Sequence, residues 1–212
     1  MINIVVLISG SGSNLQAIMD ACQSGLIAGR VVGVLSNKAD AYGLVRAQQA
    51  GIATTVINHK EFANREAFDV AMQQHIDVWQ PDVVVLAGFM RILTPAFVQY
   101  FEGKLVNIHP SLLPVYKGLH THKRVLASGD KRHGCSVHFV NHELDGGAVI
   151  AQAVFDVLAQ DNEQTLTERV HKYEHLLYPQ VLSWLANGRL SYQQGIPELD
   201  GQVLGHPVRL LF

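Results

Sequence analysis

Ile2-Asn3-Ile4-Val5-Val6-Leu7-Ile8 is a β-branched run that stops at Ser9-Gly10-Ser11-Gly12. A short apolar run bounded by glycine predicts a strand buried on both faces. After it the apolar positions become Leu15, Ile18 and Met19, the spacing of one helical face, which predicts a helix over 13–22. The alternation then repeats. Strands are expected at 31–35, 54–57 and 82–87, with helices at 41–50, closed by Gly51, and at 61–79, stopped by Pro81. Strand–helix alternation predicts a parallel sheet covered by helices, because right-handed crossovers lay each helix on a sheet face.

Beyond Pro95 the rhythm changes. A short helix over 94–101 leads to a strand at Leu105–His109, then to a loop rich in Pro, Gly and His. Residues 135–140 and 149–157 read as strands joined through Asp145-Gly146-Gly147. That connection resembles a hairpin and makes the far sheet edge antiparallel. A last helix, Glu163–Ala186, is capped by Asp161 or Asn162 and bent near Pro179. No linker or repeat interrupts the chain. The expectation is an α/β fold in one domain, 1–212: a Rossmann-like parallel sheet flanked by helices and extended by a mixed C-terminal sheet. Residues 1–100 and 101–190 form its halves, and 191–212 form a tail with no assigned function.

Composition narrows the function classes. The 212 residues carry 16 basic and 18 acidic side chains, a formal charge of −2, so no global basic field marks a nucleic-acid binder. Apolar residues are 48% and charged ones 16%, which suits a packed core and excludes disorder. Two cysteines, Cys22 and Cys135, make no disulfide framework. The first apolar run is too short for a signal peptide, and no stretch approaches the roughly 18 apolar residues of a membrane span. A cytoplasmic protein with neither nucleic-acid nor membrane partners is expected.

Four stretches carry candidate chemistry. Between the first strand and helix, Gly12, Ser13 and Asn14 offer backbone N–H groups, a helix N-terminus and side-chain donors for a phosphate. The loop lacks both the dinucleotide fingerprint and a Walker lysine. On the strand at Leu105–His109, Asn107 and His109 are two apart and share a face: an amide dipole and a proton source for a developing oxyanion. Asp145, in a turn with two glycines, would orient the His109 ring and favour its imidazolium form. His120-Thr121-His122 invites a metal reading, but no ligand spacing supports one, and His122, His133 and His142 read as solvated or supporting histidines. Phe89 to Leu93 would line the mouth of the fourth strand, and His171 and Glu174 lie three apart on the last helix.

These stretches resemble the phosphoribosylglycinamide formyltransferase family, folate-dependent enzymes of purine synthesis. The carriers are Ser9 to Leu15, Ala87 to Leu93, Asn107 to Pro114, Gly118 to His122 and Asp145 to Gly147, and the likeness extends to about residue 190. The resemblance implies the formyltransferase fold and transfer of a formyl group from 10-formyltetrahydrofolate, as co-substrate, to the amine of glycinamide ribonucleotide. It implies Asn107, His109 and Asp145 as the catalytic trio, supported by His120 and Ser136. It puts Gly12, Ser13, Asn14, His171, Lys172, Tyr173 and Glu174 on the ribonucleotide. It puts Arg65, Met90, Arg91, Ile92, Leu93, Asn107, Asn141, His142, Glu143, Leu144 and Asp145 on the folate, with no metal and with a monomer or weak homodimer as the active form.

The chain departs from the family at Val115-Tyr116-Lys117-Gly118 and in the tail beyond Gly195. A formyltetrahydrofolate hydrolase uses the same Asn-His-Asp core and is the nearest alternative. Its relatives carry an extra N-terminal domain, whereas Met1 here opens the first strand. A nucleotide-binding protein without turnover is a third possibility, weighed down by the intact trio. The isomer of the Leu113–Pro114 bond is left open by the sequence.

Overall fold

The computed structural model describes residues 1–212. Its first half alternates β1 (Ile2–Ile8), α1 (Ser13–Gln23), β2 (Gly29–Ser36), α2 (Tyr42–Gln49), β3 (Ala53–Val56), α3 (Arg65–Val78), β4 (Val83–Leu86) and α4 (Pro95–Tyr100). There follow β5 (Leu105–His109), α5 (Thr121–Ser128), β6 (Arg132–Phe139), β7 (Val149–Asp156) and α6 (Glu163–Ala186). The tail adds β8 (Leu190–Gln193), β9 (Ile196–Leu199), β10 (Gln202–Val203) and β11 (Val208–Leu210).

One eight-stranded sheet runs in the order β3-β2-β1-β4-β5-β6-β7-β11. From β3 to β5 every pairing is parallel, whereas β6 is antiparallel to both β5 and β7. Strand order reverses between β1 and β4, and open α/β sheets place ligands in the crevice beyond the strand ends at such a point. Successive strand residues feed opposite cores. Ile4, Val6, Ile8, Val106 and Ile108 pack toward α1 and α6, while Val5, Leu7, Leu86 and Leu105 pack toward α3 and α4. Asn107 and His109, in step with Leu105, therefore fall on the second face. The Tyr178 hydroxyl, fully buried on α6, donates to the carbonyls of Leu86 and Val106 at 3.1 and 3.0 Å and ties β4 to β5.

Several boundaries differ from the sequence expectations. α3 begins at Arg65, not 61, because the Asn64 side chain accepts from Ala67 N at 2.8 Å and starts the helix there; residues 59–61 form a separate 3₁₀ turn. α5 lies inside what reads as loop: it opens on His120 in a left-handed conformation without a side-chain cap, so no N-cap signal marks it. β6 starts at Arg132, three residues early, and β3 is displaced by one. Asn162, not Asp161, caps α6 in a capping box with Thr165, and the helix continues through Pro179. The tail is folded: β8–β10 form a small antiparallel sheet, and β11 pairs in parallel with Ala151 to Ala153 at the edge of the main sheet. The Leu113–Pro114 peptide is cis. No helix is long and apolar enough to cross a membrane.

Candidate active site

The turn after β1 positions the first element of the site. Gly12 precedes α1 with φ of 70°, and a Cβ there would lie 2.5 Å from the Gly43 Cα, so glycine satisfies both the left-handed backbone and the close approach of α2. The α1 N-terminus, with its free N–H groups, opens at this turn. Asn14 is not a free donor: its Nδ2 donates to Glu174 Oε2 at 2.9 Å, and its buried Oδ1 has no partner. Burial pushes the Glu174 carboxyl up to about 7, with the Asn14 hydrogen bond acting in the opposite direction. Its neighbours diverge. His171 and Lys172 are exposed, and the Tyr173 ring stacks on Phe155 at 5.0 Å between centroids.

At the end of β5, His109 is buried, and its Nε2–H donates to the Tyr116 carbonyl at 2.9 Å. Its Nδ1 faces Asp145 Oδ2 at 3.4 Å. Asp145 Oδ2 also accepts from Gly118 N at 2.8 Å, so one carboxylate oxygen joins the histidine to the 110–120 loop. The turn that presents Asp145 (φ of 49°) depends on Gly147, where a Cβ would fall 1.8 Å from the Phe139 carbonyl. With Nε2 committed to a backbone carbonyl, Nδ1 is the ring nitrogen left for chemistry beside the carboxylate.

Antiparallel register supplies the supports. Asn107 stands opposite His138 on β6, and its Nδ2 donates to His138 Nε2 at 3.1 Å. His138 Nδ1–H is bonded to the Phe139 carbonyl, so Nε2 is an acceptor, and burial pushes this imidazole below the usual histidine range. That fixes which way the Asn107 amide points and leaves its second N–H uncommitted. His109 stands opposite Ser136, and Ser136 opposite Gln152. Ser136 Oγ donates to the Ser111 carbonyl and accepts from Leu113 N and Gln152 Nε2, while Gln152 Nε2 also reaches the Leu113 carbonyl, all within 2.7–3.0 Å. This buried network clamps the loop that follows His109.

A cavity of about 960 Å³ opens over these groups, lined by Arg65, Met90, Arg91, Ile92, Leu144 and the trio. Leu93, Asn141, His142 and Glu143 instead line an adjoining cavity of about 110 Å³ that shares Asn107, Leu144 and Asp145. His120 lines the large cavity, whereas Ser136 is fully buried behind it. The sequence reading missed Leu119, Glu163 and, most consequentially, His138 and Gln152. Polar residues inside an otherwise apolar strand were their only signal.

The neighbouring histidines divide between the two roles, solvated and supporting, expected of them. His133 is 1% exposed, not solvated; it accepts or donates at 2.9 Å with His122 Nδ1, and burial, with His122 adding to it, lowers it to about 4. His122 lines the large cavity, and His142 alone of the three is exposed.

Comparison with known proteins places this geometry in a class. Residues 2–182 match the formyl transferase family, and the chain belongs to it. Within that class it is 59% identical to the phosphoribosylglycinamide formyltransferase of Escherichia coli K12 over 202 residues, 95% of each chain. It is 50% identical to the trifunctional purine biosynthetic protein adenosine-3 of Drosophila melanogaster over 87% of this chain and 14% of that one. The solved phosphoribosylglycinamide formyltransferase of Coxiella burnetii superposes with a TM-score of 0.94 at 53% identity, covering 98% of this chain and 99% of the other.

Proposed function

We propose that this enzyme transfers the formyl group of 10-formyltetrahydrofolate to the amine of glycinamide ribonucleotide, yielding formylglycinamide ribonucleotide and tetrahydrofolate. The observation that carries the reading is the meeting of Asn107, His109 and Asp145 on the wall of one cavity, with a glycine turn and helix N-terminus following β1, the strand beside β4, whose following loop walls that cavity. The ribonucleotide phosphate takes the N–H groups at Gly12, Ser13 and Asn14, and buried Glu174 faces its sugar. The large cavity falls in the range of small-molecule sites, and its apolar rim at Met90, Ile92 and Leu144 with Arg65 and Arg91 suits a flat ring system bearing carboxylates.

In this reading the amine nitrogen bonds to the formyl carbon, and the carbonyl π electrons move to oxygen. The Asn107 N–H and His109 Nδ1–H hold that oxyanion. Asp145 holds the imidazolium in place and, through a water, carries the proton from the attacking amine to the folate nitrogen as its bond to carbon breaks. Two unpaired cysteines support a reducing, cytoplasmic setting. The test is to incubate the protein with 10-formyltetrahydrofolate, with and without glycinamide ribonucleotide, following tetrahydrofolate and formate. Tetrahydrofolate only with the ribonucleotide, and no formate, is expected. Formate without an acceptor would make the enzyme a hydrolase and overturn the reading.

A further inference from the structure

Ser9 is the first residue after β1, at the start of the phosphate turn, 5% exposed, and lines neither of the two cavities described above. Its hydroxyl donates to Asn37 Oδ1, at the end of β2, at 2.5 Å. The same oxygen accepts from the Met90 backbone N–H, in the loop after β4, at 2.8 Å. Asn37 is itself 2% exposed, and its Nδ2 lies 3.4 Å from His59 Nδ1, in the turn that leads to α3. In the sheet order β4 and β2 are the two neighbours of β1, so one hydroxyl spans the strand order's reversal point.

The consequence is mechanical. Ser9 is joined covalently to the turn that takes the phosphate and by hydrogen bond to the loop that walls the folate cavity through Met90, Arg91 and Ile92. Removing the hydroxyl takes the partner from the part-buried Met90 N–H and from the buried Asn37 amide oxygen, so the two loops are linked through one oxygen while the bonds hold. The far end of the folate loop is also pinned. Asp69 Oδ2, buried on α3, accepts from Thr94 N at 2.6 Å. A loop fixed at both ends by groups outside the pocket moves as a unit with whatever moves its anchors.

We propose that Ser9 is a positioning residue that couples the two substrate sites: occupancy of the phosphate turn orders the Met90 loop through the Ser9–Asn37 pair, and occupancy of the folate cavity orders the phosphate turn in return. This rests on the assignment of the two loops made above. Such coupling is reciprocal by necessity, each ligand tightening the other by the same factor.

Glycinamide ribonucleotide and tetrahydrofolate together cannot react, so the four affinities of the binding cycle are measurable by calorimetry on the intact protein. The wild type is expected to show a coupling factor of at least ~5. In Ser9→Ala, and in Asn37→Ala as the second route to the same break, the factor falls toward one in protein whose circular dichroism matches the wild type. A change in coupling is a readout that general loss of stability does not produce. A wild-type factor of one, or an undiminished factor in both folded variants, overturns the inference while leaving the assigned function intact. Failure of both ligands to bind the wild type would overturn both.

Discussion

The two halves of the central sheet are built from different material. In the parallel half, β1 from Ile4 to Ile8 and all of β4 are apolar, and the polar groups of the candidate phosphate site sit beyond the end of β1, in the glycine turn and the first turn of α1. In the antiparallel half, polar side chains sit inside buried strands: Asn107 and His109 on β5, Ser136 and His138 on β6, Gln152 on β7. Burying polar groups is unfavourable unless each finds a partner: Asn107 pairs with His138 and Ser136 with Gln152 across the ladder, and His109 pairs with the Tyr116 carbonyl and Asp145. The division follows from the chemistry asked of each half. In the proposed reading a phosphate takes the backbone N–H groups at a helix start with the short Ser13 side chain beside them, which asks nothing of a strand interior. A tetrahedral transition state needs an amide and an imidazole held in fixed directions: a cross-strand bond to His138 aims Asn107, while the Tyr116 carbonyl and Asp145 hold the His109 ring.

The contrast between the halves breaks most visibly at His109, the proposed catalytic histidine. His109→Ala is expected to lower kcat by ~10²–10⁴ with both ligands still bound, as steady-state turnover and calorimetry would show. Ser13→Ala combined with Asn14→Ala should weaken the ribonucleotide about tenfold and leave folate affinity unchanged; equal weakening of both would erase the division of labour. A third pair sharpens the contrast. Gln152→Ala and Val6→Ala are each expected to cost about 2 kcal/mol in urea unfolding, but only Gln152→Ala should lower kcat, because it alone loosens the clamp behind His109.

The last contrast is in the pH dependence of stability. Glu174, raised to about 7, stabilises fully at low pH and loses that contribution as pH rises through about 7. His133, lowered to about 4, contributes fully above the ordinary histidine range and loses that contribution as pH falls toward 4. The two slopes oppose each other between about pH 5 and 6.5. Glu174→Gln should therefore increase the stability lost between pH 7 and pH 5 by about 2 kcal/mol, measured by urea unfolding at both values.

How far the sequence discloses this molecule depends on the range of the forces involved. β1, β5 and α6 are legible to the residue because a glycine, a histidine-proline step and a capping asparagine end or start strong hydrophobic patterns. α5 is hidden because it opens on a left-handed histidine with no side-chain cap, and α3 starts late because Asn64 outcompetes the earlier positions as its cap. β8 to β11 are too short for a periodic signal and are held by pairing with distant partners. In the site, Asn107 and His109 share a face by strand geometry alone, and Asp145 is marked by its glycines. The Asn107–His138 bond, the Ser136–Gln152 clamp and the Tyr116 carbonyl on His109 depend on register and loop path, which no local pattern encodes. The same holds for Glu174, whose partner Asn14 is 160 residues away.

Asp145→Asn tests the central claim most directly, since it keeps the shape of the turn and removes only the charge beside His109. Both ligands would be titrated by calorimetry, and a single round of formyl transfer followed by rapid quench. The account predicts affinities within about threefold of wild type and transfer slowed at least ~100-fold. Transfer at near the wild-type rate in the folded variant would contradict it.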